Sequence, residues 1–165
     1  MSLTESRTLV LGLGNPLLGD DGVGWRVTEA VQASAAGRQP AASVEFDWHA
    51  GGGLALMERL MGYDRVILID ALQTGRGPVG SVHACPLEAL GNPLAGHLAS
   101  AHETSLQTAL EVGHRLGAAL PAQIMVVGVE AQTVFEFSEQ LSPAVAAAVP
   151  IAAARVRQLL EEAAS

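Results

Sequence analysis

Cysteine occurs once in this chain, at Cys85, so no disulfide can form within it. A lone thiol suits a reducing compartment, and the expectation is a cytoplasmic protein. Charge is scarce, with Asp, Glu, Lys and Arg at 16% of 165 residues. Basic charge is scarcer still, 9 residues against 17 acidic ones, for a formal charge of −8. Such a surface repels a phosphate backbone, which argues against nucleic acid as a partner. Long hydrophobic runs are also missing. Gly, Pro or charge interrupts the apolar stretches before they reach the roughly 20 residues of a membrane span, so no membrane association is expected. Met1–Arg7 shows no basic segment leading into an apolar one, so no secretory leader is expected either. Apolar residues are abundant at 49%, enough for a core, and the length suits one α/β domain spanning 1–165.

The apolar residues alternate between two periodicities. Arg7–Gly12, Ala42–Trp48, Arg65–Asp70, Ser81–Cys85 and Gln123–Val129 read as short strands, and Arg65–Asp70 is the most apolar of them. Asp20–Ala35, Leu54–Met61, Ser100–Leu116 and Pro143–Glu162 read as helices. Strands alternating with helices predict a three-layer sandwich, with a mostly parallel twisted sheet of about five strands and helices on both faces. Gln73–Pro78 and Pro86–Leu98 are loops punctuated by Gly and Pro. In open sheets of this kind ligands bind outside the carboxyl ends of the strands, so polar residues there are the ones to examine.

The first strand runs into Gly12-Leu13-Gly14-Asn15-Pro16-Leu17-Leu18-Gly19-Asp20-Asp21-Gly22-Val23-Gly24. A glycine turn between strand and helix suggests a dinucleotide site, with Asp47 at the end of the second strand imitating the ribose-binding acid. The fingerprint fails at its third glycine, where Leu17 stands, and Asp20 and Asp21 would place negative charge where pyrophosphate should lie. Gly12–Pro16 (GLGNP) also resembles the opening of the peptidyl-tRNA hydrolases. Their following Gly and Arg-His-Asn stretch are absent here, and the charge of −8 disfavours tRNA. A purely structural reading has the glycines close a tight turn and Asp20 cap the first helix.

Three residues with ligand chemistry fall at strand ends or helix starts. Asp21 opens the first helix and Asp70 ends the most apolar strand. His102 lies in the first turn of the helix begun by Ser100-Ala101-His102-Glu103, which has the form of a capping box. The positive end of the helix dipole there favours a neutral imidazole with a lone pair to donate. Two carboxylates and an imidazole suit a divalent metal such as zinc or nickel. Each residue alone has a structural alternative, as a cap or a solvated helix position. Three at one sheet edge favour a site.

Gly12-x-Gly14-Asn15-x-Leu17-x-x-Asp20-Asp21-Gly22-x-Gly24 resembles the first motif of the hydrogenase maturation endopeptidases. Arg65–Ala71 resembles their second acidic strand end, and His102 with Leu106 their histidine segment. Gly128-Val129-Glu130 and Leu141–Val145 resemble their C-terminal signature. The resemblance implies an endopeptidase that trims a C-terminal peptide from the precursor of a nickel–iron hydrogenase large subunit. It implies Asp21, Asp70 and His102 as catalytic and metal-contacting residues. The divalent metal would be nickel supplied by the substrate, with zinc or cadmium able to substitute. Asp21 stands where some members carry Glu. An Asp-Gly-Gly-Thr-like segment in the family is replaced here by Asp47-Trp48-His49-Ala50-Gly51-Gly52-Gly53. His49, Gly51, Gly52 and Gly53 are therefore expected to recognise the substrate.

The remaining histidines, His83, His97 and His114, are expected to be surface or structural, and Cys85 a small core residue with no nearby cation to stabilise a thiolate. No Gly-x-Ser-x-Gly elbow is present, which disfavours covalent catalysis and leaves water activation by metal or carboxylate. The competing function class is a non-catalytic metal- or nucleotide-sensing module on the same fold.

Overall fold

Arg65–Leu72 forms strand β3, buried at all eight positions. Burial of consecutive residues requires cover on both faces, because successive side chains point to opposite sides. A computed structural model describes residues 6–36, 43–90, 101–132 and 136–163, and within 101–105 the backbone only. Its strands are β1 (Arg7–Leu13), β2 (Ser43–His49), β3, β4 (Val82–Pro86) and β5 (Gln123–Glu130). Its helices are α1 (Val23–Ala35), α2 (Gly53–Leu60), α3 (Ala101–Arg115) and α4 (Pro143–Glu162), with 3₁₀ turns at Gly19–Gly22 and Leu87–Leu90. His97, Ser100 and most of the predicted Pro86–Leu98 loop lie outside the described residues.

The five strands form one sheet in the order β2-β1-β3-β5-β4. All neighbours are parallel except β4 and β5, so the expected mostly parallel α/β sheet is what forms. The connection 73–81 is too short for a crossover helix, so β4 runs back from the carboxyl edge as an antiparallel outer strand.

Side-chain alternation divides the core in two. Leu9, Leu11 and Leu13 of β1 and Val66, Leu68 and Leu72 of β3 face α2 and α3, meeting Leu56, Leu60 and Leu106. Val10, Ile67, Ile69, Val127 and Val129 face α1 and α4, meeting Val27, Val31, Ala152 and Val156. Each fully buried Leu, Ile or Val contributes about 1.5–3 kcal/mol relative to exposure. The Ala-rich face of α4 allows close packing on α1.

Helix α4 departs from one expectation. It is long and apolar enough to meet the length and composition of a membrane span, which the sequence reading assigned to no segment. Pro150 and the arginines near its end hid that property. Val145, Ala148, Ala152, Ala153, Val156 and Leu159 are buried in the protein core, which accounts for its apolar stripe.

Both ends of α4 are tethered, one to the sheet and one to the 3₁₀ turn ahead of α1. At its C-terminal end the Arg65 guanidinium, from the start of β3, donates to the Leu159 carbonyl at 2.7 Å. At its N-terminal end Asp20, only 2% exposed, accepts from the Ser142 N–H at 2.6 Å and the Ser142 hydroxyl at 2.8 Å. Asp20 therefore does not cap its own helix. It anchors a segment 122 residues away.

Asp20→Ala should lower unfolding free energy by roughly 2–4 kcal/mol, since it leaves the Ser142 N–H without its charged acceptor. Ser142→Ala should cost about 1 kcal/mol. Denaturant titration of both single variants and the double variant checks this, and the double variant should fall short of the sum because the residues share one contact.

Candidate functional site

Asp21 is built into place by the turn that leaves β1. It sits in the 3₁₀ turn Gly19–Gly22, one short element ahead of α1, and not in the helix itself as the sequence suggested. Gly14 has φ +106°, and a Cβ there would lie 1.9 Å from the Asp21 carbonyl oxygen. Only glycine accommodates both that conformation and that approach. The Asn15 N–H donates to Asp21 Oδ2 at 2.7 Å, and the Leu17 N–H donates to Asn15 Oδ1 at 2.9 Å. Asp21 Oδ1 has no partner among the described residues. Main-chain bonds between Gly19 N–H and Ser138 carbonyl (2.7 Å) and between Ser138 N–H and Leu17 carbonyl (2.9 Å) brace the same turn. The half-buried Asp21 is thus held by one oxygen with the other open.

Asp70 is fully buried near the end of β3. It accepts from the Ala71 N–H at 2.8 Å. Its place in the alternation, between Leu68 and Leu72, puts it on the sheet face covered by α2 and α3. The turn carrying Asp21 packs against β3, so both acids share the carboxyl edge. Helix α3 leads down to the start of β5, so its first turn, with His102, stands at that edge too, one helical turn ahead of the buried Leu106. The side chain of His102 is outside the described residues. Among the described residues, no three His, Cys, Asp or Glu side chains converge as a metal site.

The residues expected to recognise substrate lie beside this edge. His49 is the last residue of β2, half-buried, with its Nε2 3.0 Å from where a Cβ on Gly51 would be. Gly52 is extended and precedes α2, and Gly53 opens α2 with φ +60°. The glycines therefore form a tight strand-to-helix turn. Asp47 is committed elsewhere, to Arg59 Nε at 2.6 Å, and Arg59 also donates to Glu45 at 2.8 Å and to Tyr63 at 2.9 Å. Burial works to raise the Asp47 pKa, but the Arg59 bond, the Trp48 N–H and the Arg59 charge prevail and hold it below the usual value. Its carboxylate ties β2 to α2, leaving no ribose-binding acid there.

One acid at this edge carries a role that its place in the C-terminal signature did not assign. Glu130, at the end of β5, is 3% exposed and accepts from the Thr74 N–H at 3.1 Å and from the Thr74 hydroxyl. His83 Nε2 stands 3.5 Å from Glu130 Oε1. The signal available was a single charged residue closing a strand of apolar ones, Gln123–Glu130. His83 is one-third exposed and structural in this sense, as expected, and Cys85 packs at the margin of the α2/α3 core.

A family model described as hydrogenase maturation protease matches residues 49–159, most of the chain. The chain belongs to the hydrogenase maturation protease family. Asp70 and His102 fall inside the matched residues, and Asp21 lies ahead of them. It is similar to the hydrogenase expression/formation protein HupD of Thiocapsa roseopersicina, at 29% identity over 85% of this chain and 61% of that protein. It thus spans less than two-thirds of HupD. HoxM of Cupriavidus necator, also described as a hydrogenase expression/formation protein, is 27% identical over 92% of this chain and 73% of its own length. The structure of the hydrogenase maturating endopeptidase HybD from E. coli superposes with a TM-score of 0.77 at 26% identity, covering 95% of this chain and 93% of that one.

The positive φ of Gly53 makes a specific prediction for the family member in hand. Gly53→Ala should cost about 1–2 kcal/mol from forcing a side chain into left-handed backbone. Thermal unfolding should register it as a fall in Tm.

Proposed function

We propose that this chain is the endopeptidase that removes a C-terminal peptide from the nickel-loaded precursor of a nickel–iron hydrogenase large subunit, in the cytoplasm. The observation carrying this reading is the pair of carboxylates, Asp21 and Asp70, brought to one carboxyl edge in a chain of the maturation protease family. Asp21 Oδ1, the Asp70 carboxylate and the His102 imidazole would together offer an O,O,N donor set of the kind that suits nickel or zinc. Nickel belongs to the substrate, and its charge would polarise groups close to the scissile bond.

The chain's own residues have three tasks. The turn held by Gly14 and Asn15 fixes Asp21 with one oxygen open. β3 holds Asp70 fully buried near its carboxyl end. A carboxylate there takes a proton from the attacking water as the new C–O bond forms at the scissile carbonyl. That proton passes to the amide nitrogen as the C–N bond breaks, so no covalent intermediate is needed. Residues His49 and Gly51–Gly53 form the adjoining wall against which the precursor's tail would lie.

Asp21→Asn, Asp70→Asn and His102→Ala should each reduce cleavage by about 100-fold or more. Asn is the proper test at position 70, because the full burial of Asp70 makes Ala a packing change as well. Intact mass after incubation with nickel-loaded and nickel-free precursor reads the outcome. Trimming of both precursors at equal rates would refute the dependence on nickel, and wild-type rates in any variant would remove that residue from the site.

Free protein should bind one zinc, cadmium or nickel ion weakly, because three ligands leave coordination positions open. The ligating imidazole must be neutral, so affinity should fall as pH drops through roughly 6.5. Calorimetry across pH on wild type and His102→Ala tests this. Binding that ignores both pH and the loss of His102 would exclude the cluster.

A further inference from the structure

The chain has no lysine, so its arginines carry all its fixed side-chain positive charge. Nearly all of those in the described residues are engaged. Arg7 pairs with Glu45, Arg26 with Glu29, Arg59 with Glu45 and Asp47, and Arg155 with Glu162. Arg65 holds the Leu159 carbonyl and Arg157 the Ser34 hydroxyl. Arg115 lies in the last turn of α3, where a cation complements the helix dipole. Arg76 alone among the described residues is an exposed guanidinium with no side-chain partner and no helix end beside it.

Its position is built and not incidental. Arg76, six residues after Asp70, lies in the loop 73–81, which leaves β3 after Leu72 and returns to the carboxyl edge where β4 begins. The Arg76 N–H donates to the Thr74 hydroxyl oxygen at 3.2 Å, and the same hydroxyl donates to the buried Glu130 carboxylate. The Thr74 N–H reaches that carboxylate as well, at 3.1 Å. The Gly80 N–H donates to the Glu130 carbonyl at 2.7 Å, and the Glu130 N–H to the Ser81 carbonyl at 2.8 Å, so both limbs of the loop close on one residue. A solvated surface arginine needs no such clamp.

We propose that Arg76 is a specificity-determining residue that pairs with a carboxylate of the substrate polypeptide, and that Glu130 and Thr74 position it. The role presupposes the processing activity proposed above. The edge carries the half-buried Asp21 above the buried Asp70 and Glu130, and the whole chain is at −8, so an acidic group on an incoming segment is disfavoured unless a cation meets it. A guanidinium meets a carboxylate through two parallel N–H donors, which fixes orientation as well as charge. The carboxylate is either a side chain of the segment or its chain terminus.

The test measures steady-state cleavage of nickel-loaded precursor, together with anisotropy of a labelled peptide carrying the C-terminal extension. Arg76→Gln should raise KM about three- to tenfold with kcat changed less than about twofold, and weaken peptide binding to match. Arg76→Glu should weaken both further, and added salt should shrink the difference from wild type. Thr74→Val should shift KM the same way by less, with faster hydrogen exchange at the Arg76 amide. Arg115→Gln should leave KM unchanged. Amidating the peptide's terminus, or changing its Asp and Glu to Asn and Gln, identifies the source: the change that abolishes the difference between wild type and Arg76→Gln marks the paired group. Equal KM and equal peptide binding for wild type and Arg76→Gln would overturn the proposal, as would a difference that survives both peptide changes. Failure of wild type to cleave would refute the processing activity instead, and peptide binding would still show whether Arg76 pairs with a carboxylate.

Discussion

Strand β3 is the constraint on which the rest of the molecule depends. Its eight residues are all buried, so a helical layer must cover each face, and the alternation along it assigns residues to one core or the other. Flanked by β1 and β5, it has no free edge and no exposed face to relieve strain. An acid near the end of such a strand sits in a low-dielectric setting, which is costly unless hydrogen bonds or opposite charge compensate. Asp70 occupies that position, fully buried and accepting from the Ala71 N–H.

The adjacent acids Asp20 and Asp21 show how one turn sends neighbouring carboxylates to different surroundings. A 3₁₀ turn points successive side chains about 120° apart, so neighbours diverge. Asp20 turns inward to the start of α4 and becomes part of the packing. Asp21 turns to the edge and keeps an oxygen open. The two depend on each other. The Asp20–Ser142 contact and the Leu18–Ser138 bridge lock the turn, and the locked turn holds Asp21 in register with β3.

Around the same edge, Glu130 closes β5 and gathers the connection from β3 to β4. Two strands and the turn that follows β1 thus bring acids to one rim, two of them buried. Arg76 supplies a cation at its border.

Much of the fold was legible from the sequence because it rests on local patterning. The expected strands and helices formed within a residue or two of their predicted ends, except the start of α1, which the 3₁₀ turn Gly19–Gly22 sets three residues later, since buried parallel strands and amphipathic helices write their periods directly into the chain. The order of Asp21, Asp70 and His102 along the chain also followed from strand ends and helix starts, and the α/β class placed all three at one edge. Pairings distant in sequence were not legible. That Asp20 would anchor Ser142, that Asp47 would be taken by Arg59, and that Glu130 would hold Thr74 depend on which elements the strand order makes neighbours. Strand order is set by how two helical layers cover one sheet, and no local period encodes it. The sequence by itself thus determined the elements, the family and the candidate ligands. The tertiary structure alone decided which acids bind the fold together and which remain open at its edge, because a carboxylate's role is set by the donors brought to it and not by its own chemistry.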